Sequence, residues 1–309
     1  MTEPTELSPA PKKWQLILAY FLMYVVWGSS YLAIRYSVET IPPFLSGGLR
    51  FMTAGFVLLP LRLLQTRDLP TARGWLVAFV TSLLPFSVTY GLITTAETVI
   101  PSSIAALLLA IEPLWFCLLG WLFFKGKKPE ARHYIGIAAG FAGVCVLIAG
   151  DPNADLSLRT GYTFWMLLVV AASVTWVVGA FISKTPGIHH DPLTVSGMQM
   201  ICGGAQMMLL QFSVSACTGE FPDIGGISLR SLVALGYLIF FGSLAGYTSF
   251  VWLMRCQPAN RVGTHAFVNP VIAVIMGWLV GGETLHANVV IATALVVASV
   301  VIMIWEKRK

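Results

Sequence analysis

Two ionisable residues stand inside long apolar runs of this chain. Arg50 lies in GGLRFMTAGFVLL, and Glu112 lies in PSSIAALLLAIEPLWFCLLGWL, which runs from Pro101 to Leu122. A charge in hydrocarbon is costly, so each is a functional candidate by default. At the rise of an α-helix, Arg50 is about 12 Å along its run from Pro42 and Glu112 about 16 Å along its run from Pro101. The two runs start on the same face, so the charges reach similar depth, and pairing relieves the cost of burying each. Two readings stand. In one, the pair binds a polar or zwitterionic substrate at mid-membrane, with the planar guanidinium gripping a carboxylate in two places. In the other, it is a structural ion pair between the second and fourth helices.

Glu112 directly precedes Pro113, and this skeleton returns as PANRVGTHAFVNPVIAVIMGWL, Pro258 to Leu279. One offset of 157 residues takes Pro101 to Pro258, Pro113 to Pro270, Gly120 to Gly277 and Trp121 to Trp278. Asn269 replaces Glu112 in the second copy and joins the candidate substrate-binding residues. Proline removes a backbone donor and frees a carbonyl one turn back. Pro113 and Pro270 are therefore expected to bend their helices so that both line a central cavity. Trp27, Tyr31, Trp115, Trp176 and Trp252 are candidates for the cavity wall, with packing against lipid as the plain alternative for each. Glu97 reads as an interfacial acid that reaches water, and Glu283 as a structural carboxylate favoured near a helix start. His265, Gln199 and Gln206 read as hydrogen-bonding links between helices.

Enzyme signatures are missing: the chain holds no HExxH, P-loop or GxSxG motif. His189-His190-Asp191 has no further ligands nearby in sequence, so neither a metal nor a cofactor is expected. Nor is an exposed disulfide expected from the five cysteines, which lie in or near the apolar runs.

These candidates must be positioned in lipid. Of the 309 residues 57% are hydrophobic and 11% charged, with mean hydropathy +0.79. A soluble domain carries about 25% charged residues, so this chain cannot hide its apolar surface in one aqueous core. The net charge of +5 is scattered in short clusters rather than gathered in one patch, which argues against a nucleic-acid partner. Pro, Gly and charged breaks divide the sequence into ten apolar runs, the first centred near Leu22 and the last near Val297. The first run is too long for a signal-peptide core and is expected to be retained. Fifteen of the 19 Lys and Arg residues fall in the N-terminal tail, the even-numbered links and the C-terminus, and three in the odd-numbered links. Under the positive-inside rule both termini are cytoplasmic. Two halves of five crossings each then insert with opposite orientation, an arrangement found in many secondary transporters. The fold expected is all-α and integral to the membrane, with ten transmembrane helices in two inverted five-helix repeats.

Several segments carry a family resemblance: WGSSYLAIR from Trp27, GGLRF from Gly47, AETVIPSSIAALL from Ala96, and FVNPVIAVIMGWLVGGETL from Phe267. The chain resembles the EamA family of the drug/metabolite transporter superfamily, ten-span permeases, from Trp14 to Trp305. It departs from the family where Phe124-Lys125-Gly126-Lys127 stands in place of a Gly-Glu pair after the fourth run. The resemblance implies a cytoplasmic tail at 1–13, EamA repeats at 14–150 and 160–305, and a second cytoplasmic tail at 306–309. It also implies efflux of small metabolites, such as amino acids, or of drugs across the inner (plasma) membrane. The partners are then a small-molecule substrate and the lipid bilayer. The alternative from another class is an integral-membrane enzyme acting on a lipid-soluble substrate.

Overall fold

The computed structural model describes residues 12–66, 69–124, 128–150, 161–182, 191–257, 259–262 and 264–304. Trp305, His189-His190, Lys125-Gly126-Lys127, the link around Asp155 and almost all of both expected tails lie outside these residues. Among the described residues every regular element is helical. The first eight spans are Lys13–Ser37, Pro43–Thr66, Ala72–Ala96, Ser102–Phe123, Ala131–Ala149, Tyr162–Ile182, Pro192–Thr218 and Leu229–Met254. Each is long and apolar enough to cross a bilayer, and the shorter apolar helices His265–Leu279 and Ala287–Ile304 complete an all-α membrane fold of ten helices.

Local chemistry sets the ends of the spans. The Asp191 carboxylate accepts from the backbone N–H groups of Leu193 and Thr194 and caps the seventh span, with Pro192 in its first turn. Gly219, in the left-handed conformation at φ 75°, ends the same helix.

Three spans are not regular α-helix throughout. Wide π-helical turns occupy Leu22–Val26 in the first span, Leu83–Val88 in the third and Leu238–Gly246 in the eighth. The 157-residue offset carries Leu83–Val88 onto 240–245, inside the wide segment of the eighth span. The fourth span is interrupted: α-helix ends at Leu109 and resumes at Glu112, with Pro113 in the new first turn. At Pro270 the helix runs without interruption from His265 to Leu279, so the second copy lacks the break.

The second span packs most extensively on the seventh, and the fifth on the tenth. The third and fourth spans pack against the sixth, as the eighth and ninth pack against the first. Exchanging each span for the one five places later maps this pattern onto itself. Small residues permit the closest crossing. A Cβ built on Gly204 of the seventh span would lie 2.6 Å from the Met52 backbone nitrogen and 2.9 Å from the Gly48 carbonyl oxygen of the second. Gly136, Gly140 and Gly143 of the fifth span face Met303, Ser299 and Val296 of the tenth, so this small-residue stripe packs within the chain.

The second–seventh crossing makes a direct prediction. Gly204→Val should lower stability by about 1–3 kcal/mol, the usual cost of overpacking, because backbone rather than a flexible side chain stands in the way. Gly236→Ala, where an added Cβ meets nothing within 4 Å, should be tolerated. Thermal unfolding of the purified protein, followed by size-exclusion chromatography, distinguishes the two.

Candidate functional site

Arg50 projects from the second span into the bundle and is 5% exposed. Its Nε donates to Ser243 Oγ at 2.9 Å, and its Cζ stands 5.0 Å from the Phe51 ring centroid and 5.1 Å from that of Tyr90. Ser243 belongs to the wide segment of the eighth span, and the neighbouring Gly242 carbonyl accepts from Trp27 Nε1 at 3.1 Å. One non-α segment thus supplies acceptors to both the second and the first span. A guanidinium over ring faces in a desolvated site gains about 2 kcal/mol.

Among the described residues no ion pair joins Arg50 to Glu112, and the expected pair between the second and fourth helices does not form. Similar depth along two helices leaves their lateral separation open. The second span packs on the seventh, eighth and third, and the fourth on the sixth, ninth and first. Two tyrosines are shared by the surroundings of the two charges. Tyr31 and Tyr90 each lie within electrostatic range of both Arg50 and Glu112. Glu112 is half-buried at the restart of the fourth span. Trp176 meets the Tyr90 ring edge-on with centroids 6.4 Å apart. Arg50, Tyr31, Tyr90, Trp176 and Glu112 therefore form one cluster that holds a cation, a carboxyl and aromatic rings.

The remaining candidates take other places. Trp115 donates to Ser173 Oγ at 2.8 Å, fastening the fourth span to the sixth, so its indole N–H is already engaged. Trp27 packs against Phe250 and His265, with centroids 5.3 and 5.6 Å away. Asn269 lies beside this group, its backbone carbonyl facing Gly28. Asn269 is buried, and its Oδ1 has no hydrogen-bond partner among the described residues. Gln199 and Gln206 bond the third span through Thr81 and Phe79. His265 bonds the Val262 carbonyl on its own segment instead of bridging helices. Tyr90 and Ser243 are inconspicuous in their apolar runs. The signal for Ser243 was the small Gly242-Ser243 pair inside an otherwise bulky apolar span.

A second polar group closes the end of the bundle that holds the odd-numbered links. Glu283 Oε1 accepts from Ser102 N at 2.8 Å and Ser102 Oγ at 2.6 Å, while Oε2 accepts from Ser103 N at 3.1 Å. The carboxylate caps the N-terminus of the fourth span from across the bundle, where helix dipole and free N–H groups favour it. A Cβ on Gly277 would run into this carboxylate, which explains the glycine of the repeated Gly-Trp pair in this copy. Glu97, expected to reach water, is instead 1% exposed. It follows Ile93 by four residues and precedes Ile100 by three, so it falls on the buried face of its helix end, whereas Thr98 and Val99 face outward.

The EamA-like transporter family model matches this sequence twice, over residues 14–149 and 163–305. The chain belongs to the EamA-like transporter family. One EamA relative, the "Uncharacterized inner membrane transporter YedA" of Escherichia coli (strain K12), is 32% identical over 94% of this chain and 90% of its own length. The "Uncharacterized transporter YvbV" of Bacillus subtilis (strain 168) is 24% identical over 95% and 92% of the two chains. The "Probable amino-acid metabolite efflux pump" of Salmonella typhimurium (strain LT2) is 25% identical over 93% and 94%. A solved crystal structure superposes with a TM-score of 0.63 over 95% of this chain and 98% of its own, at 19% identity, and shares the fold. Family and relatives are transporters, which leaves the membrane-enzyme alternative without support.

Ser243→Ala tests the cluster. Removing the acceptor leaves a buried guanidinium donor unmatched, at a cost of about 1–3 kcal/mol. Ser213→Ala deletes an exposed hydroxyl that bonds Leu209 on its own helix and should change stability by less than about 0.5 kcal/mol. Paired thermal unfolding curves check both.

Proposed function

We propose that the chain is a secondary transporter of the inner membrane that exports small metabolites, amino acids or related compounds, or drugs, by alternating access. The observation that carries this reading is the Arg50 cluster: a buried guanidinium and a carboxyl that share two tyrosines, with the carboxyl at the restart of an interrupted helix. Arg50 holds the carboxylate of a zwitterionic substrate, Glu112 faces its amine, and Tyr31, Tyr90 and Trp176 flank the body. Trp27, Trp115 and Asn269 support the walls. At Pro113 the carbonyl of Leu109 loses its i+4 donor, and broken ladders of this kind expose backbone to ligands in carriers. The relative named as an amino-acid metabolite efflux pump and the relative named as an inner membrane transporter support the substrate class and the location.

The two halves, 14–150 and 160–305, are inverted five-helix repeats that rock about the cluster, with both termini cytoplasmic. The duplicated family match, the common 157-residue offset of the wide turns and the self-mapping packing pattern support this arrangement. Cysteine probes check the orientation: Asp223→Cys should be labelled from outside intact cells and Lys128→Cys spared. The reverse pattern overturns the inversion.

Metabolite-wide comparison of efflux from cells with and without the protein identifies the exported compound, and two variants then test the site. Glu112→Gln keeps the shape and removes the charge, while Arg50→Lys keeps the charge and loses the fork. Each deletes a charge-assisted contact worth about 1.5–3 kcal/mol, so export should fall about 10- to 100-fold while membrane insertion is unchanged. Normal export by the double variant Arg50→Met/Glu112→Met would reject the binding-site reading.

A further inference from the structure

Glu97 is not among the groups assigned to the substrate in the cluster around Arg50. It is 1% exposed, and neither carboxylate oxygen has a hydrogen-bond partner among the described residues. Four groups face it within electrostatic range: Glu283 from the link between the ninth and tenth spans, Arg35 and Tyr31 from the first span, and Arg50 from the second. Three of them bond elsewhere. Arg35 Nη1 donates to the Ile100 carbonyl at 2.6 Å, Arg50 to Ser243, and Glu283 receives its donors from Ser102 and Ser103. Two carboxyl groups thus share one closed end, one supplied with three donors and the other approached only by the Arg35 backbone, outside hydrogen-bond geometry. An ionised carboxylate without donors or a paired cation is too costly to bury, and the cheapest remedy is to neutralise it.

We propose that Glu97 is a proton-binding site that closes this end of the bundle. The carboxylate takes up one proton from the adjoining water as the end closes, and the carboxyl returns it when the end opens. No other co-reactant is needed, since a proton moves between bulk water and one oxygen of Glu97. The site deepens the transporter reading, on which its purpose rests, by naming the chemical species coupled to closure. With this end outward, external acid favours the closed form.

The experiment needs no transported substrate. Infrared spectra of the purified protein at neutral pH should contain the carbonyl stretch of a neutral carboxyl that is missing from Glu97→Gln. Spin labels at Thr98→Cys and Glu220→Cys, both exposed at this end, report its opening in a background without the five native cysteines. Without Glu97→Gln, the ratio of short to long distances should rise up to about tenfold per pH unit of acidification across the Glu97 titration, the linkage of one proton. With Glu97→Gln, which mimics the protonated form, the short distance should persist at every pH. An unchanged infrared spectrum overturns the proposal, as does a distance ratio that is insensitive to pH with Glu97 in place or equally sensitive without it. Loss of all measurable export with these signals intact removes the transporter reading and leaves the proton site standing.

Discussion

A guanidinium inside a bilayer must have acceptors or ring faces around it, and Arg50 organises its surroundings accordingly. An intact α-helix offers few acceptors because its carbonyls are committed to its own ladder. The wide segment of the eighth span relaxes that commitment. It turns Ser243 toward Arg50 and the Gly242 carbonyl toward Trp27, so one local departure from α-geometry satisfies donors on two neighbouring spans. Such departures recur at functional sites. The third span departs at the equivalent place, where Ser87 bonds Gln206 of the seventh span and Thr89 meets Thr175 of the sixth.

The repeat is a scaffold whose two copies have diverged in chemistry. The positions of Pro113 and Pro270 correspond, yet the first follows a carboxyl and the second an amide. The helix is interrupted at the first proline and continuous at the second. The closing carboxylate Glu283 likewise has no acidic counterpart, since the offset places Gly126 there. The carboxyl at the repeated proline is therefore special to the first copy, and the carboxylate that caps the fourth span to the second. Divergence of this kind lets a near-symmetric carrier treat its two faces differently.

Much of this was legible in the residues. Hydropathy and breaks located ten spans because lipid tolerates little else as a crossing element. Charges in apolar runs pointed to Arg50 and Glu112 because burying them is expensive wherever they go. Lateral relations were not legible. Depth along a helix follows from counting residues, but which helices adjoin does not, so Arg50 and Glu112 do not pair and instead lie within electrostatic range of the same two tyrosines, Tyr31 and Tyr90. Glu97 was misread for a related reason: its place at a span end suggests water, while its helical phase with Ile93 and Ile100 turns it inward. Trp27 and Trp115 are candidates for the cavity wall, and the structure adds that their indole N–H groups are tied to Gly242 and Ser173. Aromatic content alone does not separate a wall from a fastening.

Transport through the cluster requires that water and solute reach Arg50 from each face in turn. Tyr31, within electrostatic range of the guanidinium, is the place to probe it. With Tyr31→Cys in a background lacking the native cysteines, a membrane-impermeant thiol reagent should react in both right-side-out and inside-out vesicles, and an exported compound should slow the reaction from each side. A thiol at Tyr31 that reacts from neither face, with or without an exported compound, would show that Arg50 is sealed in the bundle as a structural residue and would contradict the account.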